Sequence, residues 1–212
     1  MRRMGNVAFW DVDTQNDFML PSGKMYLKGA EQIRPALKKL YAFARKARIP
    51  VVASVDAYSP SDAKMKDWPE HCLRGTEGQK KVPETRLPRP VLLPCDRKIE
   101  APALRPGMQV LLEKSQHDGF SNPAARELVE KSGADRWAVF GLATDFGVRL
   151  AALGLLKLGR TVTVVSDAIH SVSDGGAKQA VIEMQAAGAD FKTAAAVIQA
   201  FQPAPKRKTR SK

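Results

Sequence analysis

Short runs rich in β-branched and apolar residues alternate along this chain with stretches of helical periodicity, and that alternation leaves few architectures open. Candidate strands fall at residues 6–10, 50–55, 109–113, 137–141 and 161–166, with a weaker sixth near 191–195. The runs are nearly continuous rather than alternating in polarity, as strands covered on both faces require. Between them, residues 31–46 place Ile33, Leu37, Leu40, Tyr41 and Ala44 three and four positions apart, while Arg34, Lys38, Lys39 and Arg45 point elsewhere. Further helices are expected from Ser121-Asn122-Pro123 to Gly133, over 144–158 closing at Gly159, and over 174–187 closing at Gly188. Strands alternating with covering helices specify an α/β protein with a mostly parallel sheet of about six strands in three α/β/α layers.

Residues 56–106 break the pattern, because Pro60, Pro69, Pro83, Pro88, Pro90, Pro94, Pro102 and Pro106 interrupt any long regular element. An excursion of this length inside a compact domain is usually functional or disordered. The longest stretch free of charged residues, 193–205, is shorter than the roughly 20 apolar residues of a membrane span. Arg2 and Arg3 precede too short an apolar run for a secretory signal, so a cytoplasmic location is expected. Cys72 and Cys95 form neither a disulfide framework nor a Cys-x-x-Cys pair. Of the net charge of +12, five positive charges belong to residues 203–212, leaving +7 for the rest. We therefore expect one domain over 1–200 and a basic, solvated tail over 201–212. No aromatics interleave with the tail's charges, which argues against nucleic-acid binding.

In an open α/β sheet, ligands bind beyond the carboxyl ends of the strands. Asp11, Asp13, Gln15 and Asp17 follow the first candidate strand, Asp56 and Tyr58 the second, Lys114 the third, and the run from Gly141 to Gly147 the fourth. An acid and a lysine converging in one cleft form either a proton-transfer pair or a buried ion pair that fixes strand ends.

Four ordered segments carry a resemblance: VAFWDVDTQNDF at 7–18, WPEHCLRGTEG at 68–78, EKSQHDGF at 113–120 and GLATDFGVRL opening the stretch 141–168. Together they resemble the isochorismatase-like cysteine hydrolases, and the WPEHC segment looks most like the nicotinamidases. The resemblance covers residues 6–198 and implies a Rossmann-like fold acting on a small amide such as nicotinamide. It implies Asp13 as the proton-shuttling acid, Lys114 as its lysine, the backbone N–H groups of Ala143 and Gly147 as an oxyanion hole, and Phe18 and Trp68 as ring-binding walls. Core packing is the plainer role for the two aromatics. Self-association is reasonable by the same resemblance.

Two positions depart from the family. Its nucleophilic cysteine stands two residues after the aspartate of A-T-D-x-C, and that position is Gly147, which offers no side chain for covalent catalysis. A divalent ion such as zinc is implied through an aspartate, a histidine two positions on and the histidine of W-P-x-H. Asp56 and His71 match the outer two, while the middle position is Tyr58, a poor zinc ligand near neutral pH. No cofactor is therefore assigned. Cys72 reads as a packed thiol, Thr144 and Asp145 as capping and positioning groups, Ser166-Asp167-Ala168 as a strand-end cap, and His117 and His170 carry no role. The favoured expectation is a catalytically silent or impaired relative that keeps a small-molecule pocket. The other is an amidohydrolase in which Asp13 activates water directly.

Overall fold

The computed structural model describes residues 6–202; the basic segment 203–212 lies outside them. Seven strands form one sheet: β1 (Asn6–Val12), β2 (Val51–Asp56), β3 (Val91–Leu93), β4 (Gln109–Lys114), β5 (Ala134–Leu142), β6 (Thr161–His170) and β7 (Asp190–Lys192). They lie in the order β3-β4-β2-β1-β5-β6-β7, and every pairing is parallel. The helices are α1 (Asn16–Met19), α2 (Arg34–Ala47), α3 (Ala125–Lys131), α4 (Arg149–Lys157), α5 (Asp174–Ala186) and α6 (Ala194–Phe201).

The period-two geometry of β1 divides the core between two layers. Ala8, Trp10 and Val12 join Leu128 of α3, Leu155 of α4 and Met184 of α5 in one cluster. Phe9 packs on the other face with Leu37, Leu40 and Tyr41 of α2 and with Phe201 of α6. All six residues of β2 are buried, as expected of a largely apolar strand covered on both faces. The expected three layers are therefore present, with one more strand than expected.

The extra strand, β3, lies inside the proline-rich excursion. It occupies a sheet edge between Pro90 and Pro94, where a residue without an N–H is tolerated. Strand β6 continues through Ser166, Asp167 and Ala168 to His170, so those residues do not end the strand; the pairing with β5 shifts register between Val139 and Gly141 instead. Asp167 does act as a cap, but for α6, accepting from the Ala194 N–H at 2.6 Å. That helix replaces the end of the weak sixth strand, because Thr193 Oγ1 accepts from the Ala196 N–H and starts a helical turn. The expected helix at 144–158 opens as a π turn, Thr144–Val148, in which the Val148 N–H reaches the Ala143 carbonyl at 3.1 Å. No helix among the described residues is long and apolar enough to cross a membrane.

Candidate functional site

The strand order reverses direction at β1, which has β2 on one side and β5 on the other. Such a switch point opens a crevice at the carboxyl ends of the strands. Asp13 follows β1 directly with φ of 49°, and its N–H donates to the Ser54 carbonyl at 3.0 Å. Asp56 and Lys114, the last residues of β2 and β4, face each other in the ladder. Lys114, 1% exposed, places its ammonium 2.8 Å from Asp13 Oδ2 and also donates to Asp56 Oδ1. The Tyr58 hydroxyl donates to Asp56 Oδ2 at 3.1 Å. Both oxygens of Asp56 are thus engaged, whereas Asp13 Oδ1 is buried without a hydrogen-bond partner.

Burial pushes the Asp13 carboxyl up to about 7; the Lys114 charge opposes this and the Asp56 charge adds to it. Burial alone would lower the pKa of Lys114, but the charges of Asp13 and Asp56 outweigh it and hold the ammonium protonated. Burial, reinforced by the charge and hydrogen bond of Asp56, raises the Tyr58 phenol far above its ordinary range. The Asp13 carboxyl is therefore poised to take up or release a proton near neutral pH beside an open space.

That space is a cavity of about 460 Å³ lined by Asp13, Phe18, Asp56, Tyr58, Trp68, His71, Ala143 and Gly147, among others. The structure thus brings together every sequence-selected side chain of the site, with Lys114 packed beneath Asp13 and Asp56. Trp68 is 53% exposed, so it belongs to the cavity rim rather than the core. His71 is buried edge-on between Phe18 and Tyr58, with ring centroids 5.6 and 5.1 Å away, and its Nδ1 pairs with the Pro69 carbonyl at 2.7 Å. His117, given no role from sequence, lines the cavity and packs against Phe146 at 5.2 Å.

Gly147 is buried at the cavity floor. An ideal Cβ there would lie 2.8 Å from Val12 Cγ1, 3.2 Å from the Leu142 carbonyl oxygen and 3.3 Å from Asp13 Oδ2. No serine, threonine or cysteine lines this cavity. Cys72 is fully buried outside its wall, and burial together with the charges of Asp56 and Asp17 keeps its thiol protonated. Cys95 lies 3.3 Å from an Arg74 guanidinium nitrogen, also away from the cavity.

Two residues quoted in the motifs without a role prove to be builders of the site. Gln15 clamps the backbone at Asp56, donating from Nε2 to its carbonyl at 2.8 Å and accepting its N–H at 2.7 Å. Asp17 accepts from the Lys24 N–H at 3.0 Å and from the Cys72 N–H at 2.7 Å, tying two segments of cavity wall together. Gly78 packs so tightly on Asp17 that a Cβ would fall 2.0 Å from its Oδ2. Asp145 does position its surroundings, accepting from the Val172 and Ser173 N–H groups at 3.0 and 3.2 Å. No side-chain cap starts the π turn, so the capping expected of Thr144 is not made.

The residues present do not suit a divalent ion. Among the described residues no group of three or more His, Cys, Asp or Glu side chains stands close enough to hold one. The Asp56 carboxylate is neutralised by Lys114 and bonded by Tyr58, which leaves it a poor third of a tetrahedral set.

Fold and site together define an α/β/α protein with an acid–lysine centre at the switch point of a parallel sheet. The chain belongs to the isochorismatase family: the isochorismatase domain pattern matches residues 8–93 and 96–196. It is 28% identical to a nicotinamidase of Acinetobacter baylyi over 212 residues, spanning 89% of this chain and 92% of that one. Its fold is similar to that of an isochorismatase-like hydrolase from Alkaliphilus metalliredigens, with a TM-score of 0.76 and 22% identity over 93% of this chain and all of that one. It is also similar to that of the pyrazinamidase of Pyrococcus horikoshii, crystallised in complex with zinc, with a TM-score of 0.73 and 24% identity over 89% and 99% of the two chains.

Proposed function

We propose that this protein binds a small aromatic amide or the corresponding acid at Asp13 and hydrolyses amides poorly or not at all, because Gly147 stands where the family carries its nucleophile. The observation that carries this reading is the cavity wall itself, which carries an acid, Asp13, but no serine, threonine or cysteine to attack a carbonyl. The Asp13 carboxyl and the Ala143–Gly147 backbone are retained around a space shaped by aromatic side chains. Tyr58 completes the hydrogen bonding of Asp56 in place of a metal.

The test is ammonia release from nicotinamide by purified protein, against a no-enzyme control and the Asp13→Asn variant, with calorimetric titration of nicotinamide and nicotinate alongside. Binding without turnover is expected; brisk ammonia release by the wild type would overturn the reading.

A second reading rests on the Asp13 carboxyl being raised to about 7. A base near that value takes a proton efficiently from water at neutral pH. Water oxygen would bond to the amide carbon while Asp13 receives its proton; Asp13 then returns that proton to the departing nitrogen, giving acid and ammonia. This route predicts slow turnover that rises through pH 7 and vanishes in Asp13→Asn.

A further inference from the structure

We infer that the Asp13 cavity is built for a two-ring aromatic amide, longer than nicotinamide; this rests on the proposed reading of the cavity as an aromatic amide site. Its volume of about 460 Å³ falls within the roughly 300–1,000 Å³ of cavities that enclose most of a drug-sized ligand. At the inner end the polar lining is the Asp13 carboxyl, 7% exposed, together with the backbone of Ala143 and Gly147. At the outer end the lining is apolar and wet. Trp68, Phe146 and Val172 are 53%, 41% and 58% exposed, and all three line this cavity.

Single exposed apolar side chains are ordinary on a protein surface, but these three line one cavity. Phe146 and Val172 are also held in place. Asp145 accepts from the Val172 N–H, and Phe146 follows Asp145 in the π turn and packs against the His117 ring. A wall fixed before the ligand arrives loses little freedom on binding. A single ring bonded to Asp13 leaves that wall in water, whereas a second ring in line with the first covers it.

Benzamide and biphenyl-4-carboxamide differ by that ring alone. Trp10 and Trp137 are fully buried, so quenching of the exposed Trp68 reports occupancy of the rim. The second ring buries on the order of 80 Å² of apolar surface at about 25 cal/mol/Å². Biphenyl-4-carboxamide should therefore bind about thirtyfold more tightly, equivalent to about 2 kcal/mol at about 1.4 kcal/mol per tenfold. In the Phe146→Ser, Val172→Ser double variant, whose exposed positions spare the core, calorimetry should show that ratio falling below threefold. If benzamide binds and the longer amide gains less than threefold, the inference fails while the pocket reading stands. If neither binds, both fail. Concentration-dependent dimerisation abolished by the same double variant, with equal affinity for the two amides, would assign the rim to a second copy of the chain and overturn the inference.

Discussion

Adding a single carbon at Gly147 tests the floor of the site most directly. An ideal Cβ there would stand 2.8 Å from Val12 Cγ1, about 1 Å inside a comfortable carbon–carbon contact of about 3.5–4.0 Å. Val12 is fully buried and β-branched, so it has little freedom to rotate away. The Leu142 carbonyl oxygen and Asp13 Oδ2, at 3.2 and 3.3 Å, close the other directions. Overpacking of this kind costs about 1–3 kcal/mol. For a chain of this length each kcal/mol lowers Tm by roughly 2–4 °C, so Gly147→Ala should melt about 2–12 °C below wild type. Val12→Ala removes the obstructing methyl at its own cost of about 2 kcal/mol. In a double-mutant cycle followed by urea unfolding, the two changes together should therefore cost about 1–2 kcal/mol less than their sum. The same geometry governs catalysis, because a cysteine at 147 would start within reach of Asp13. Ammonia release from nicotinamide should appear in Gly147→Cys and increase when Val12→Ala is added. Additive stabilities, with Gly147→Ala melting at the wild-type temperature, would refute the collision.

Three further outcomes follow from the buried charges. Wild type should take up no zinc in a competition assay with a chromophoric chelator, whereas Tyr58→His, which adds an imidazole between Asp56 and His71, should take up one equivalent; tight zinc binding by wild type would contradict the misfit. Lys81→Met strands Asp11, which is fully buried and accepts from Lys81 at 2.8 Å, and should cost about 3–5 kcal/mol in urea unfolding, a loss under 1 kcal/mol being incompatible with the network. Asp13 rises from 3.8 to about 7 on folding, so its contribution is complete below pH 4 and is lost as pH climbs through 7. Relative to Asp13→Asn, which tolerates the positive φ, wild type should lose up to about 4 kcal/mol between pH 4 and 8, at about 1.36 kcal/mol per pKa unit; a flat difference would show that Asp13 does not titrate in this range.

The sheet was legible in sequence because apolar runs buried on both faces stand out against amphipathic helices, and Asp13, Asp56 and Lys114 were legible because they end such runs. What escaped depended on neighbours distant in the chain. Strand β3 is too short and too flanked by proline to declare itself, and exists because β4 pairs with it. Helix α6 begins where Asp167, far earlier in the chain, accepts the Ala194 N–H. The missing side chain at 147 was plain from the motif, but the methyl of Val12 filling the adjoining space belongs to β1, far earlier in the chain. Tyr58 was noticed as a poor ligand; that its hydroxyl bonds Asp56 follows only from their arrangement in space. His117 matched no ligand spacing and is recognisable only from its place in the cavity and its ring contact with Phe146.

Asp17 sets a rule for anyone who would reshape this protein. One carboxylate receives backbone hydrogens from Lys24 and from Cys72, 55 positions later than itself, with Gly78 pressed against it. Grafting either stretch alone from a relative would leave the other without its mooring. Residues 16–27 and 68–78 therefore have to be exchanged as a single cassette, and natural drift in one should be matched by drift in the other.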